Sequence, residues 1–175
     1  MSVTEFTSDT GLFQDEAPEI TVLGVGNIVL KDEGFGVRVL EYLQEHYAFP
    51  PQVQLLDGGT LGMELLHFIP GTKRLLILDA IKGETGESYV FRGDEVTGHF
   101  NEKLSAHEIG IQDLLALMQV TGRAIDEVVV LGASPYVLEA GTELSPQMEA
   151  LVRPTAEKAL AELRRWGVEI RQTGV

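Results

Sequence analysis

Four ionisable side chains stand where predicted strands end or a predicted helix begins. Glu33 follows the first predicted strand, Asp57 ends the second and Asp79 ends the third. Because parallel strands share one carboxyl edge, we expect these three carboxylates on one rim of a sheet. A capping box at residues 105–108 places His107 in the first turn of a helix, where the dipole favours a neutral imidazole. Two carboxylates and a neutral imidazole suit a borderline divalent metal such as Ni²⁺, Zn²⁺ or Mn²⁺.

Each of these residues also has a structural interpretation. Asp32 can cap the helix that follows it, and the helix dipole then favours Glu33. Asp57 can hold the glycine turn after it, and Asp79 can start the next turn. His107 can be a surface histidine on a well-capped helix. The common rim of the three carboxylates is what favours a functional site.

A strand, a glycine turn, an acidic loop and a helix occupy residues 20–47. The apolar, β-branched run at 20–25 predicts a strand buried on both faces. A dinucleotide site is excluded, because Val29 stands at the third glycine position and the nearby carboxylates would repel a pyrophosphate. One face of the predicted helix is carried by apolar residues at helical spacing: Val37, Leu40, Leu43 and Tyr47.

The remaining elements predict one α/β fold. Further strands are predicted at 53–57, 75–79, 88–92 and 127–131, and helical patterns at 61–68, 111–118 and after the N-cap Ser145. The connection before 88–92 is too short for a helix, so that strand is expected at an antiparallel edge. The prediction is a single three-layer domain at 19–175, with a five-stranded, mostly parallel twisted sheet and helices on both faces. Residues 1–18 are predicted to be a flexible acidic extension.

Composition excludes several functional classes. The 175 residues carry a net charge of −14 and no cysteine, which disfavours nucleic acid as a partner and rules out thiolate chemistry. No apolar run approaches a membrane span and no secretory signal is evident, so the cytoplasm is the expected compartment. Neither a Gly-x-Ser-x-Gly elbow nor a Walker A lysine is present. Residues 107–111 start like a zinc-protease His-Glu-x-x-His motif but end in Ile111.

An ordered set of short motifs resembles the hydrogenase maturation endopeptidases. The motifs are Leu-Gly-Val-Gly-Asn at 23–27, Asp-Glu-Gly-Phe-Gly-Val at 32–37, Asp-Gly-Gly-Thr at 57–60, Asp-Ala at 79–80 and Ser-Ala-His at 105–107. The resemblance covers about residues 20–170. It implies a five-stranded sheet flanked by helices and removal of the C-terminal extension from the nickel-loaded precursor of a nickel–iron hydrogenase large subunit.

The resemblance also implies roles for individual residues. Glu33, Asp79 and His107 match the metal-binding residues of the family, which bind nickel supplied by the precursor; zinc or cadmium can take that site in crystals. Asp57 falls in a family motif and is a catalytic candidate. The attacking water would be polarised by metal or activated by a carboxylate such as Asp57, and the sequence leaves both open. A monomer is expected. The alternatives are a non-catalytic chaperone that inspects nickel loading and a small-molecule hydrolase on a similar scaffold.

Overall fold

The computed structural model describes residues 18–59, 69, 71–93, 95–96 and 125–173 of the chain. Two α-helices lie in these ranges, α1 (Phe35–His46) and α2 (Pro146–Arg165), and a 3-10 turn at Lys31–Gly34 leads into α1. The strands are β1 (Ile20–Val25), β2 (Tyr47–Ala48), β3 (Val53–Gly59), β4 (Arg74–Ala80), β5 (Ser88–Arg92), β6 (Glu127–Ala133) and β7 (Arg171–Gln172).

Five of these strands form one sheet in the order β3-β1-β4-β6-β5. The first four are parallel, and β5 pairs antiparallel with β6 at the edge, so the predicted sheet is confirmed. After β1 the chain forms β3 on one side of β1, and it then crosses over to form β4 on the other side of β1. The carboxyl ends of β1 and β4 therefore flank a topological switch point, where open α/β sheets bind their ligands.

Both described helices pack on one face of the sheet. The predicted helix face on α1 is buried at Val37, Leu40 and Leu43. Tyr47 was predicted to continue this face, which is wrong: the residue is extended and pairs with Gln172 in a separate two-stranded ribbon. Two prolines at 50–51 follow closely and disfavour a longer helix. On α2, Ser145 is the N-cap and Pro146 the first residue, as predicted.

The opposite face of the sheet is buried as well. Leu23 and Val25 of β1 and Leu75 and Ile77 of β4 are fully or almost fully buried there, beyond the reach of α1 and α2. The prediction that β1 is buried on both faces is thus confirmed. The helices predicted at 61–68 and 111–118, and residues 1–17 of the predicted extension, lie outside the described residues.

Candidate functional site

The amino end of α1 packs against the ends of β1 and β4 at the switch point, beside the crevice. A Cβ built at Gly36 would overlap the carbonyl oxygen of Leu78 and lie 2.5 Å from that of Val25. Only glycine at this position lets the helix approach the two strand ends so closely. The crevice therefore has a helix N-terminus on one side and two strand ends beneath it.

Glu33 lies in the 3-10 turn between β1 and α1 and is half-buried. Its N–H donates to the carbonyl of Leu30 over 3.1 Å. Gly26 has φ +141°, and a Cβ there would collide with the carbonyl oxygen of Glu33. The tight glycine turn thus sets the position of Glu33, directly before the positive end of the α1 dipole.

Asp79 lies near the carboxyl end of β4 and is 3% exposed. The N–H of Ala80 donates to Oδ1 of Asp79 over 2.8 Å, which orients the carboxylate. Side chains alternate along a strand, so Asp79 leaves the sheet on the face of Leu75 and Ile77, opposite α1. A Cβ on the neighbouring Gly132 would overlap the carbonyl oxygen of Asp79, so glycine is needed there too.

Asp57 occupies the same rim but a different environment. Its side chain is exposed, and Oδ1 accepts the N–H of Gly59 over 2.9 Å across the register shift at the end of β3. Asp57 pairs with Gly24 of β1, which in turn pairs with Leu78 of β4. One strand therefore separates Asp57 from Asp79, about 10 Å between Cα atoms, and the two side chains leave opposite faces.

Asp32 joins the turn before α1 to the loop between β6 and α2. Asp32 does not cap α1, because the N-cap is Gly34 and no side chain caps the helix. The fully buried Asp32 carboxylate instead accepts four hydrogen bonds: from the N–H groups of Tyr136, Val137 and Ser145 and from the Ser145 hydroxyl, over 3.0, 2.8, 2.7 and 2.7 Å. Sequence reasoning missed this role, because nothing near Asp32 marks a partner more than 100 residues away.

Backbone hydrogen bonds connect three loops along the rim: the loop after β1, the loop after β6 and the turn between β4 and β5. Lys31 N–H donates to Gly141 O, and Gly141 N–H donates to Val29 O, each over 2.9 Å. Gly86 N–H, in the turn between β4 and β5, donates to Ser134 O over 3.0 Å. Lys31 adopts φ +44°, an unfavourable conformation for a side-chain-bearing residue, directly beside the candidate site. The rim is therefore preorganised.

Two members of the predicted metal triad border the crevice between β1 and β4. Among the described residues no three His, Asp or Glu side chains are grouped so as to hold a metal ion. His107, the third predicted member, lies outside the described residues. The described His46 stacks on Tyr42 at the far end of α1 and takes no part in the crevice.

The fold is that of an α/β protein whose candidate site, with Glu33 and Asp79, lies at the carboxyl ends of two central strands. The hydrogenase maturation protease family matches residues 37–162 of the chain. A hydrogenase 2 maturation protease of Escherichia coli K12 is 42% identical over 153 residues, 86% of this chain and 93% of that protein. The chain belongs to the hydrogenase maturation protease family, and it is a peptide hydrolase.

Solved structures agree with this assignment. The hydrogenase maturating endopeptidase HybD from E. coli matches with a TM-score of 0.84 at 41% identity, over 88% of this chain and 97% of that one. The NiFe hydrogenase maturation protease HybD from Thermococcus kodakarensis matches with a TM-score of 0.70 at 28% identity, over 82% and 97%. In the described part of the chain, no helix combines the length and apolar composition that crossing a membrane requires.

Proposed function

We propose that this protease removes the C-terminal extension from the nickel-loaded precursor of a nickel–iron hydrogenase large subunit. Glu33, Asp79 and His107 bind the nickel ion that the precursor carries, and this contact holds the scissile peptide at the rim. The main support is the position of the two acids: Glu33 lies in the turn whose backbone packs on Gly26 directly after β1, and Asp79 lies near the end of the neighbouring β4. Family membership supplies the reaction type.

The arrangement of the chain supports a shared ion. β1 and β4 are hydrogen-bonded neighbours, so their ends are about 5 Å apart. Val96 and Ile125, which precede and follow the undescribed residues 97–124, both pack on the face from which Asp79 projects. This supports assigning His107 to the same ion. Two carboxylate oxygens and one imidazole nitrogen are a donor set that Ni²⁺ accepts.

Hydrolysis adds one water across the scissile peptide bond. Its hydroxyl bonds to the carbonyl carbon, the carbon–nitrogen bond breaks, and a proton passes to the leaving amine. We assign activation of this water to polarisation by the substrate's nickel ion. Asp57 is less suited, because it is separated from Asp79 by a strand, projects from the other face and already accepts the N–H of Gly59.

Single-turnover cleavage of the nickel-loaded precursor, followed by mass spectrometry, tests the proposal. We expect Glu33→Gln, Asp79→Asn and His107→Ala each to lower the rate at least about 100-fold. The wild-type protein should shorten only the nickel-loaded precursor. Normal cleavage by Glu33→Gln would remove that residue from the mechanism. A wild-type protein that binds the precursor without shortening it would support a non-catalytic chaperone instead.

Asp57→Asn separates the two ways of activating water. An asparagine keeps the side-chain oxygen that accepts the Gly59 N–H, so the conformation at the end of β3 should persist. Cleavage at the wild-type rate is the expected result. A loss comparable to that of Glu33→Gln would assign activation of the water to the Asp57 carboxylate.

A further inference from the structure

Four large apolar side chains are exposed in the described part of the chain, and all of them lie on two loops beside Glu33. Ile28 is 40% exposed and Val29 is 53% exposed, both in the loop after β1. Tyr136 is 40% and Leu138 60% exposed, both in the loop after β6. We call these four residues the rim patch. Clustering of this kind on a protein surface marks an interaction site more often than chance exposure.

The two loops that carry the rim patch are held together by hydrogen bonds. An isolated β-bridge joins Leu30 to Gly141, and the buried Asp32 carboxylate binds the backbone of Tyr136 and Val137. The Tyr136 ring also lies against Gly86, where a Cβ would collide with its hydroxyl. A surface already held in place loses little conformational entropy when a partner binds.

Acidic side chains outnumber basic ones around the rim patch. The exposed carboxylates on the three rim loops are Glu84, Glu87, Glu139 and Glu143. The bases on these loops are Lys31 and Lys82, and the Lys31 Nζ lies 3.7 Å from Oε2 of Glu139. An apolar centre with an acidic border is complementary to an apolar segment flanked by lysine or arginine.

We propose that the rim patch docks an apolar segment of the hydrogenase precursor, flanked by basic side chains and adjoining the scissile peptide. This inference rests on the proposed function, since the docked chain is the substrate of the same site. The patch begins five residues before Glu33 in sequence, so a segment seated on it places the neighbouring peptide at the crevice. Docking contributes binding that is equal in the ground and transition states, and it is therefore visible in KM and not in kcat.

Steady-state cleavage of the nickel-loaded precursor tests the docking surface. Leu138→Ser and Val29→Ser remove exposed apolar area and should each raise KM about tenfold while leaving kcat unchanged. Glu84→Lys should raise KM several-fold at low ionic strength, with the effect fading as salt is added. Its matched control is Glu169→Lys, which makes the same charge change beyond the far end of the 20-residue α2, about 30 Å away, and should leave KM unaltered.

The outcomes separate this inference from the proposed function. A wild-type protein that cleaves the precursor, together with Leu138→Ser and Val29→Ser at wild-type KM, overturns the docking inference alone. A concentration-dependent dimer that Leu138→Ser dissociates, without change in KM, assigns the patch to a second copy of the chain and also overturns it. A wild-type protein that leaves the precursor uncut overturns the proposed function and the docking inference with it.

Discussion

Asp32→Asn is expected to destabilise the protein although it changes one atom of the side chain. The fully buried carboxylate accepts four hydrogen bonds, three of them at Oδ2 and one at Oδ1. If the asparagine oxygen takes the place of Oδ2, its NH₂ group faces the N–H of Ser145, and a buried donor is left without an acceptor, a loss of about 1–3 kcal/mol. The three surviving bonds lose the contribution of the negative charge. We expect a net loss of about 3 kcal/mol of unfolding free energy.

Urea denaturation measures this loss. The chain has one tryptophan, Trp166, which is buried at the end of α2 and reports on unfolding by fluorescence. Hydrogen exchange gives the local readout: the amides of Tyr136, Val137 and Ser145 should exchange faster in Asp32→Asn than in the wild type. Amides in the centre of β1 should change only as much as global stability does.

Glu33→Gln is the matched control, since it makes the same chemical change one residue along the chain. Because Glu33 is half-buried, the unfolding free energy of the Glu33→Gln protein should stay within about 1 kcal/mol of the wild type, while cleavage is lost. Equal stability of Asp32→Asn and wild type, or unchanged exchange at the three loop amides, would refute the role given to Asp32. Equal destabilisation by both variants would refute the assignment of a structural role to Asp32 and a functional role to Glu33.

Two further predictions concern the packing behind the site. Burial raises the pKa of Glu162, but hydrogen bonds from Arg92 and Arg165 outweigh it and hold the pKa below the ordinary 4.5. Glu162→Gln should therefore lower unfolding free energy by about 1–3 kcal/mol near neutral pH. Because the folded-state pKa is depressed, this stability is present above the ordinary pKa of 4.5 and is lost as the pH falls through the folded-state pKa. The difference in urea stability between the two proteins should therefore shrink as the pH is lowered below 4.5. Replacing a glycine inside a helix by alanine usually stabilises the helix. In Gly36→Ala, however, the new Cβ would overlap the carbonyl oxygen of Leu78, so the protein should unfold at a lower temperature than the wild type. A raised midpoint of thermal unfolding would contradict the close approach of α1 to the strand ends.

The main-chain architecture was predictable because it follows from local patterns. The apolar run of β1 and the strand at Ser88–Arg92 were predicted with their observed bounds. β3, β4 and β6 each extend beyond the prediction, since pairing with neighbouring strands carries them into Gly59, Ala80 and Ala133. The β2–β7 ribbon was not predicted, because strands of two residues carry too few side chains to form a pattern.

The acids at the rim show where local reasoning stops. Capping preferences suggested a helix cap at Asp32, whereas the carboxylate binds a loop more than 100 residues away. Asp57 and Asp79 look alike in sequence, each ending an apolar strand, yet one is exposed and the other buried. Strand order and the alternation of side chains decide which face each carboxylate takes, and neither can be read from one strand alone.

Local patterns and short motifs were enough to predict the family, the order of strands and helices, and the residue types available for binding a metal. Only the folded chain shows that the turn carrying Glu33 and the strand ending near Asp79 meet at the switch point, that Asp32 binds the loop after β6, and that the four exposed apolar side chains lie on two hydrogen-bonded loops. The physical reason is the range of the interactions. Helix and strand patterns depend on neighbours within a few residues, whereas a site depends on contacts between segments that only the folded sheet brings together.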